Sequence, residues 1–420
     1  MKTIPQGNWP TKRLRFVTRR QDAVERKRLL ARASQVSFLP MEAIGEDGHF
    51  DPSCLRDIDD VRTGYSEFFD GDVVIAKITP CFENGKGALV RELMGGVGFG
   101  TTELHVLTPS PEIDGRFLYY VTMSAAFRQL GEAQMTGAAG QKRVPEEFIR
   151  NYKTPIPPVP KQQAIVGFLD GEIARLDALV DAKEQFLKLL TERRAASDAN
   201  IILRGTDPNA KLRECDASWL DRIPEGWDVR RLAWLFRERD ERSEPNLPLL
   251  EVSINSGVTL RELTDDRIES VAADFNTYKI ARKGDVVFNK MRMWQGAVGV
   301  APQDGLVSPD YVVAAPTGEL STDYAGLLFR TSVFSAECAR RSHGIVWDRL
   351  RLYWEGFRDI VVPLPPLAVQ SKVVASIKAE ASKFDAMRSA TETTIALLKE
   401  RRSVLIYEAV NGQIAVGSTA

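Results

Sequence analysis

A gapless internal duplication constrains this chain more than any other feature. The stretch PIPPVPKQQAIVGFLDGEIARLDALVDAKEQFLKLLTERR, from Pro155 to Arg194, aligns with PLPPLAVQSKVVASIKAEASKFDAMRSATETTIALLKERR, from Pro363 to Arg402. The offset is 208 throughout, so Pro157-Pro158 falls on Pro365-Pro366, Gln162 on Gln370, Asp177 on Asp385 and Glu192-Arg193-Arg194 on Glu400-Arg401-Arg402. A period near half the chain length means two copies of one structural unit. Chance can supply one shared proline pair, but not the whole register.

Each copy reads as a proline hinge that launches a long helix. The prolines cannot donate backbone hydrogen bonds and hold φ fixed, so they end the preceding element and start a helix just downstream. Ile173, Leu176, Val180, Lys183, Leu187 and Leu190 follow at alternating spacings of 3 and 4, the a/d seam of a coiled coil. The second copy places Ala381, Phe384, Arg388, Thr391, Ile395 and Leu398 on the same seam, a weaker stripe because Arg388 and Thr391 are polar. A helix from Lys161 to about Leu203 would be roughly 64 Å long at about 1.5 Å per residue. Neither arm can bury its stripe alone, and the other arm is the expected partner.

The duplication also covers the segments ahead of the arms. The chain opens on IPQGNWPTKRL from Ile4, and its second half opens on IPEGWDVRRL from Ile223. FFDGDVVIAKI (Phe68–Ile78) is echoed by ARKGDVVFNKM (Ala281–Met291), each a Gly-Asp turn running into a β-branched strand, with Lys77 and Lys290 in equivalent places. Further strands are expected at Ala88–Leu93, Leu104–Thr108, Ala297–Ala301 and Tyr311–Ala315. Helices are expected at Phe117–Leu130 and Tyr324–Arg340. Polar loops follow, TGAAGQKRV (Thr136–Val144) and RRSHGIVWDRL (Arg340–Leu350). RGTDPNAK (Arg204–Lys211) has the composition of a linker, and Asn411-Gly412 that of a helix C-cap. The expected order is head, arm, linker, head, arm.

Composition narrows the function classes. A chain of 420 residues, 44% hydrophobic and 27% charged, is too long for one core and matches a soluble globular protein of two or three domains. It contains no apolar run long enough for a transmembrane helix, and the start lacks the apolar core of a secretory signal. Cys54, Cys81, Cys215 and Cys338 form no CxxC pair, which disfavours a disulfide framework or structural zinc and suits a reducing cytoplasm. The net charge of −1 hides segregation: nine Lys/Arg against two acids from Thr11 to Arg32, then ten acids against two arginines from Glu42 to Asp72. Such segregation can make a basic face on a neutral protein. Catalytic signatures are absent. Ile-Pro-Pro-Val and Leu-Pro-Pro-Leu lack the amide or carboxylate of an amino-methyltransferase loop, Gly95-Gly96, Gly98 and Gly100 do not fit G-x-G-x-x-G, and Asn84-Gly85-Lys86-Gly87 lacks the earlier glycine of a P-loop. Pro309-Asp310 has no acid-x-Lys after it at nuclease spacing, and His49, His105 and His343 have no catalytic partner assignable from sequence.

Taken together, the I-P-x-G-W heads, the Gly-Asp-Val-Val strands and the P-x-P-P-plus-helix units resemble a specificity subunit of a type I restriction–modification enzyme, over essentially the whole chain. The family commonly has Glu-Gln in the hinge, where this chain has Lys161-Gln162 and Val369-Gln370. The resemblance implies an α+β fold. Two mixed α/β target-recognition domains, residues 1–154 and 206–362, alternate with helical arms at 155–205 and 363–413 and a tail at 414–420. The arms pack as an antiparallel coiled coil within a pseudo-twofold internal repeat. It also implies a non-catalytic, cytoplasmic DNA reader. Each head reads one half of a bipartite double-stranded site, and the arms set a spacer of at most roughly 19 base pairs at about 3.4 Å per pair. The expected partners are two methylation subunits carrying S-adenosylmethionine and a motor–nuclease subunit using ATP and magnesium, with no cofactor on this chain and no membrane. Since Arg and Lys suit guanine and Asn and Gln suit adenine, the candidate DNA contacts are Lys77, Asn84, Lys86, Gln141, Lys142 and Arg143 in head one. In head two they are Asn289, Lys290, Arg292, Gln295, Arg341 and His343. Two alternatives remain open at this point, a stand-alone DNA-modifying enzyme of unfamiliar motif and an assembly scaffold that ignores DNA.

Overall fold

The computed structural model describes residues 9–20, 22–138, 140–242, 244, 246–261, 275–344 and 350–414. Residues 4–8 of the first head motif, 345–349 of the second polar loop and 415–420 of the tail lie outside the described residues. The chain forms two compact units, one of Met1–Glu184 with Glu392–Ala420 and the other of Gln185–Thr391. Each unit therefore combines one head with a piece of each long helix.

The long helices run Val159–Arg204 and Leu367–Val410, each starting one residue after its proline pair. Both end on a left-handed glycine, Gly205 at φ 79° and Gly412 at φ 71°. A side chain at either position would strike a tryptophan of a head motif, because an added Cβ would lie 3.2 Å from the Trp227 ring at Gly205 and 2.7 Å from the Trp9 ring at Gly412. Burial follows the expected stripe. From 174 to 190 the only residues that are not fully exposed are Leu176, Asp177, Val180, Lys183, Leu187 and Leu190. In the second helix Thr391 is buried, but Arg388, expected on the seam, is exposed, as a long cationic side chain can be when its head group stays in water.

Within the first unit Asp177 pairs with Arg402 (3.2 Å) and Glu184 with Lys399 (3.2 Å). Within the second, Arg194 pairs with Asp385 (2.8 Å) and Ser197 donates to Glu380 (3.1 Å). In each unit one residue number rises as the other falls, so the two helices run antiparallel there. Ile165, Leu169 and Ile173 share the first unit's core with Leu405, Ile406 and Val410, while Ile202 shares the second's with Val373, Val374 and Ile377.

The heads repeat one skeleton. Head one has an antiparallel sheet ordered Thr18–Arg19, Leu104–Pro109, Val73–Ala76, Gly87–Leu89; head two has Phe236–Arg239, Tyr311–Pro316, Val286–Asn289, Val298–Val300. The Gly-Asp turns feed the third strand as expected, with Gly71 at φ 93° and Gly284 at φ 90°. The buried carboxylates cap these turns, Asp72 accepting from the Phe69 amide and Asp285 from the Arg282 amide, both at 2.8 Å. The single helix expected after each sheet is two: Gly115–Met123 and Ala125–Glu132 in head one, Thr322–Leu328 and Ser332–Arg340 in head two. Ser124 and Thr331 cause the break, holding ψ near 141° and 144° while their hydroxyls turn back onto the Val121 and Leu328 carbonyls. Hydrophobic periodicity runs through such a break, and only the hydroxyl residue betrays it.

The hinge glutamines lock each arm to its head. Gln162 is fully buried; its Oε1 accepts from the Asp114 amide (2.7 Å) and its Nε2 donates to the carbonyls of Glu112 (2.9 Å) and Pro157 (2.7 Å). Gln370 repeats this with Ser321 (2.7 Å), Glu319 (3.2 Å) and Pro365 (2.8 Å). Asp114 and Ser321 are the N-cap residues of the heads' helices, so one amide joins the start of the arm to the start of a head helix. Replacing either glutamine by leucine strands three buried backbone groups and should cost about 2–3 kcal/mol in its own unit, read as a fall in the denaturant midpoint; an unchanged midpoint would refute this role.

Candidate nucleic-acid interface

Head one carries a cleft of about 690 Å³ whose charged walls are mostly cationic: Arg15, Arg19, Arg20, Lys77, Arg143 and Arg150, with Glu146 opposing them. Local structure explains why these side chains converge. Arg19 lies on the strand that pairs with Leu104–Pro109, and Lys77 directly follows the strand Val73–Ala76, its amide bound to the Glu103 carbonyl at 2.9 Å. Arg143 is held beside them by β-bridges to Ile78 and Thr136. Its guanidinium grips Glu103 with two bonds of 2.9 Å, and this pairing holds the Glu103 carboxyl below its ordinary pKa.

Of the residues expected from sequence, Lys77 and Arg143 line this cleft, and Gln141 and Lys142 are exposed on the loop leading to it. Asn84 is exposed on the turn after the Lys77 strand, whereas Lys86 is partly buried with its Nζ on the Met41 carbonyl (3.0 Å), a bond that secures a loop. In head two Arg292 and Gln295 are exposed and Lys290 reaches the Pro309 carbonyl at 3.4 Å. Asn289 is buried and caps its own turn by accepting from the Met291 amide at 2.9 Å. Arg341 is drawn onto the buried Glu337 at 2.6 Å, and exposed His343 is bridged through its backbone to Arg351. Lys86, Asn289 and Arg341 are thus already engaged in the protein's own hydrogen bonds.

One correspondence becomes visible only in three dimensions. Asn84 and Gln295 each stand just before a left-handed glycine, Gly85 (φ 86°) and Gly296 (φ 87°), whose amide closes a turn onto the carbonyl two residues before the amide side chain, Phe82 or Met293. The repeat therefore presents a strand-end lysine and a turn amide in both heads. Sequence reasoning passed over Arg15, Arg19, Arg20 and Arg150. The basic run from Thr11 to Arg32 was the available signal for the first three, but it does not say which cations face one cleft. In head one Arg15, Arg143 and Arg150 are paired with Glu147, Glu103 and Glu146, and head two pairs cations of its own. Arg282 meets Glu241, Glu244 and Asp304, Arg239 meets Asp285, and buried Lys279 meets Glu238 and Asp240.

Burial, the larger influence, holds the His105 imidazole below its ordinary pKa, and its Nε2 lies 2.9 Å from the Val144 carbonyl oxygen at the cleft wall. The folded protein therefore binds this proton less readily than the unfolded chain. Stability from this site is complete above about pH 6.5 and declines as the pH falls below it. Thermal melts over this range should show that decline, and His105→Gln should flatten it; an identical slope in the variant would rule the histidine out.

Residues 68–188 match the family described as Type I restriction modification DNA specificity domain. Over 178 residues the chain is 41% identical to the type I restriction enzyme EcoEI specificity subunit of Escherichia coli, covering 39% of this chain and 30% of that protein. Over 200 residues it is 41% identical to the EcoAI specificity subunit of Escherichia coli, covering 46% of this chain and 32% of that one. The chain thus spans about a third of the length of these two relatives. A chain solved in a study of complex assembly and conformational transition of the type I R-M system shares the fold at TM-score 0.70 and 19% identity, covering 99% of this chain and 100% of that one. The HsdS subunit from Thermoanaerobacter tengcongensis follows at TM-score 0.58 and 18% identity, with 99% of each chain covered. Residues 68–188 thus resemble the DNA specificity domain of type I restriction–modification enzymes, and the chain shares the fold of the HsdS subunit from Thermoanaerobacter tengcongensis.

Proposed function

We propose that this chain is the DNA-reading, non-catalytic subunit of a type I restriction–modification complex. Each head reads one half of a bipartite double-stranded site. The paired arms act as a coiled-coil ruler within a pseudo-twofold repeat, setting the unread spacer. Their outer faces dock two methylation subunits, which bring S-adenosylmethionine and flip the target adenine, a step that chemistry on a base inside a duplex requires. A motor–nuclease subunit with ATP and magnesium joins for cleavage.

The observation that carries this reading is the repeated pairing of a strand-end lysine with a turn amide in two heads, each fastened to a long helix by the same buried glutamine. Two equivalent readers on stiff arms suit two half-sites at a set separation, as in dimeric DNA readers. The cationic cleft of head one supplies phosphate contacts, which fix position but carry no sequence information, while the amides suit adenine edges. Among the described residues no cluster of three or more His, Cys, Asp or Glu could hold a metal ion, and no helix is long and apolar enough to cross a membrane.

Mapping modified adenines in cells with and without this chain tests the reading directly. Adding seven residues to both arms should lengthen the spacer by about three base pairs and leave both half-sites unchanged. New half-sites would refute the ruler. In the assembled complex, Arg15→Ala, Arg19→Ala and Arg20→Ala should each lower the slope of log affinity against log salt by about one. Asn84→Ala should relax one position of one half-site by roughly 1–3 kcal/mol, and Gln295→Ala one position of the other. Equal losses on all DNA sequences would show these amides to be backbone contacts.

A further inference from the structure

Head one buries a cation that bonds to no carboxylate among the described residues. Arg128, on the helix Ala125–Glu132, is only 7% exposed, and burial, the largest influence on it, pushes its pKa down to about 10. Glu83 acts on it only through space, and its Nε finds no acceptor among the described residues. A buried charge without a bonded counter-charge is costly, and a methionine of similar length could occupy the place without that cost.

What the guanidinium does hold is the base of the turn that carries Asn84. Its Nη1 donates to the Phe82 carbonyl (2.8 Å), its Cζ lies 4.7 Å from the centre of the Phe82 ring, and its Nη2 is 3.3 Å from the Met123 sulfur. The same Phe82 carbonyl accepts from the Gly85 amide (3.0 Å), closing the turn on which Asn84 stands exposed. The ring is fully buried, and the helix makes room for it with Gly131, where an added Cβ would lie 2.4 Å from the ring. One guanidinium thus grips both the carbonyl and the ring of the residue two places before the exposed amide. A charged donor makes the stronger hydrogen bond, and a cation over a ring adds its own attraction. Head two is built differently. Ser335 stands four residues after the break at Thr331, as Arg128 does after Ser124, and the counterpart turn rests on Met293, buried in the second unit's core.

We propose that Arg128 is a positioning residue for base reading in head one, fixing the turn so that the Asn84 amide meets one base edge at a set angle. This rests on the reading of Asn84 given above. A side chain that reads a base must be held within a fraction of an ångström, and a neighbour locked by packing does this. A guanidinium suits the task because its planar fork offers a fixed donor direction and a flat face together.

Binding of the partner-bound complex to duplexes carrying each alternative base pair, position by position, tests the proposal. Asn84→Ala marks the position that the turn reads. Arg128→Met should relax discrimination at that position by about tenfold, leaving the rest of that half-site, the whole of the other half-site and the slope against salt unchanged. When both changes are made, the second should add nothing at that position, the coupling expected where one residue acts through another. Arg128→Lys keeps the charge and a donor but not the flat face, and should lose less, about threefold. It carries the test if a thermal melt shows that Arg128→Met does not fold. Losses spread evenly over positions, or additive losses in the double variant, would overturn the proposal by making Arg128 a residue of general packing. Full discrimination in both arginine variants, beside a relaxed position in Asn84→Ala, would overturn it and leave the reading of Asn84 standing. If Asn84→Ala relaxes no position, that reading fails and the proposal falls with it.

Discussion

The hydrogen bonds of one buried amide at each hinge hold the architecture together. Gln162 and Gln370 each join the proline turn that starts an arm to the cap of a helix inside the head. A backbone donor and two backbone acceptors converge at each site, and glutamine is the side chain that offers both an acceptor and donors in one plane. Further along, Arg116 meets Asp170 (3.0 Å) in the first unit and the Tyr324 hydroxyl donates to the Ile202 carbonyl (2.7 Å) in the second, but the glutamines act at the first turn of each arm. With them, the direction in which each long helix leaves its head is set there.

The rest of the repeat shows how one skeleton is kept while its surface is rewritten. Elements that set backbone geometry recur in both heads: the Gly-Asp turns, the helix breaks at Ser124 and Thr331, and the left-handed glycines after Asn84 and Gln295. Elements that set charge diverge. Head one leaves a cluster of cations facing a cleft, while head two encloses Arg239, Lys279 and Arg282 among acids. Backbone geometry tolerates few substitutions because a positive φ or an uncapped turn costs energy directly. Surface charge can change freely, because an exposed side chain sets no backbone angle and fills no packed space.

The same contrast explains how much could be read in advance. The arms were legible because a seam at 3- and 4-residue spacing is a property of the helix itself, and burial from 174 to 190 follows it almost residue by residue. The strands after the Gly-Asp turns were legible for the same reason. Lys77 has a lysine at its counterpart in the repeat, and it lines the cationic cleft. Lys86, Asn289 and Arg341 were chosen on residue type alone, and the fold engages them with Met41, Met291 and Glu337. Arg150 was invisible as a site residue, since only packing of the helix Glu146–Asn151 against the turn Leu14–Phe16 brings it to the cleft.

By itself the sequence determined the duplication, the hinge-and-helix units, the strand that follows each Gly-Asp turn, and the kind of family the chain resembles. All of these depend on local periodicity or on backbone demands that a few neighbouring residues express. Only the tertiary structure decided which cations share a cleft and which polar side chains are already satisfied. Those outcomes depend on contacts between residues far apart in the chain, and their register is fixed by three-dimensional packing rather than by spacing along the sequence.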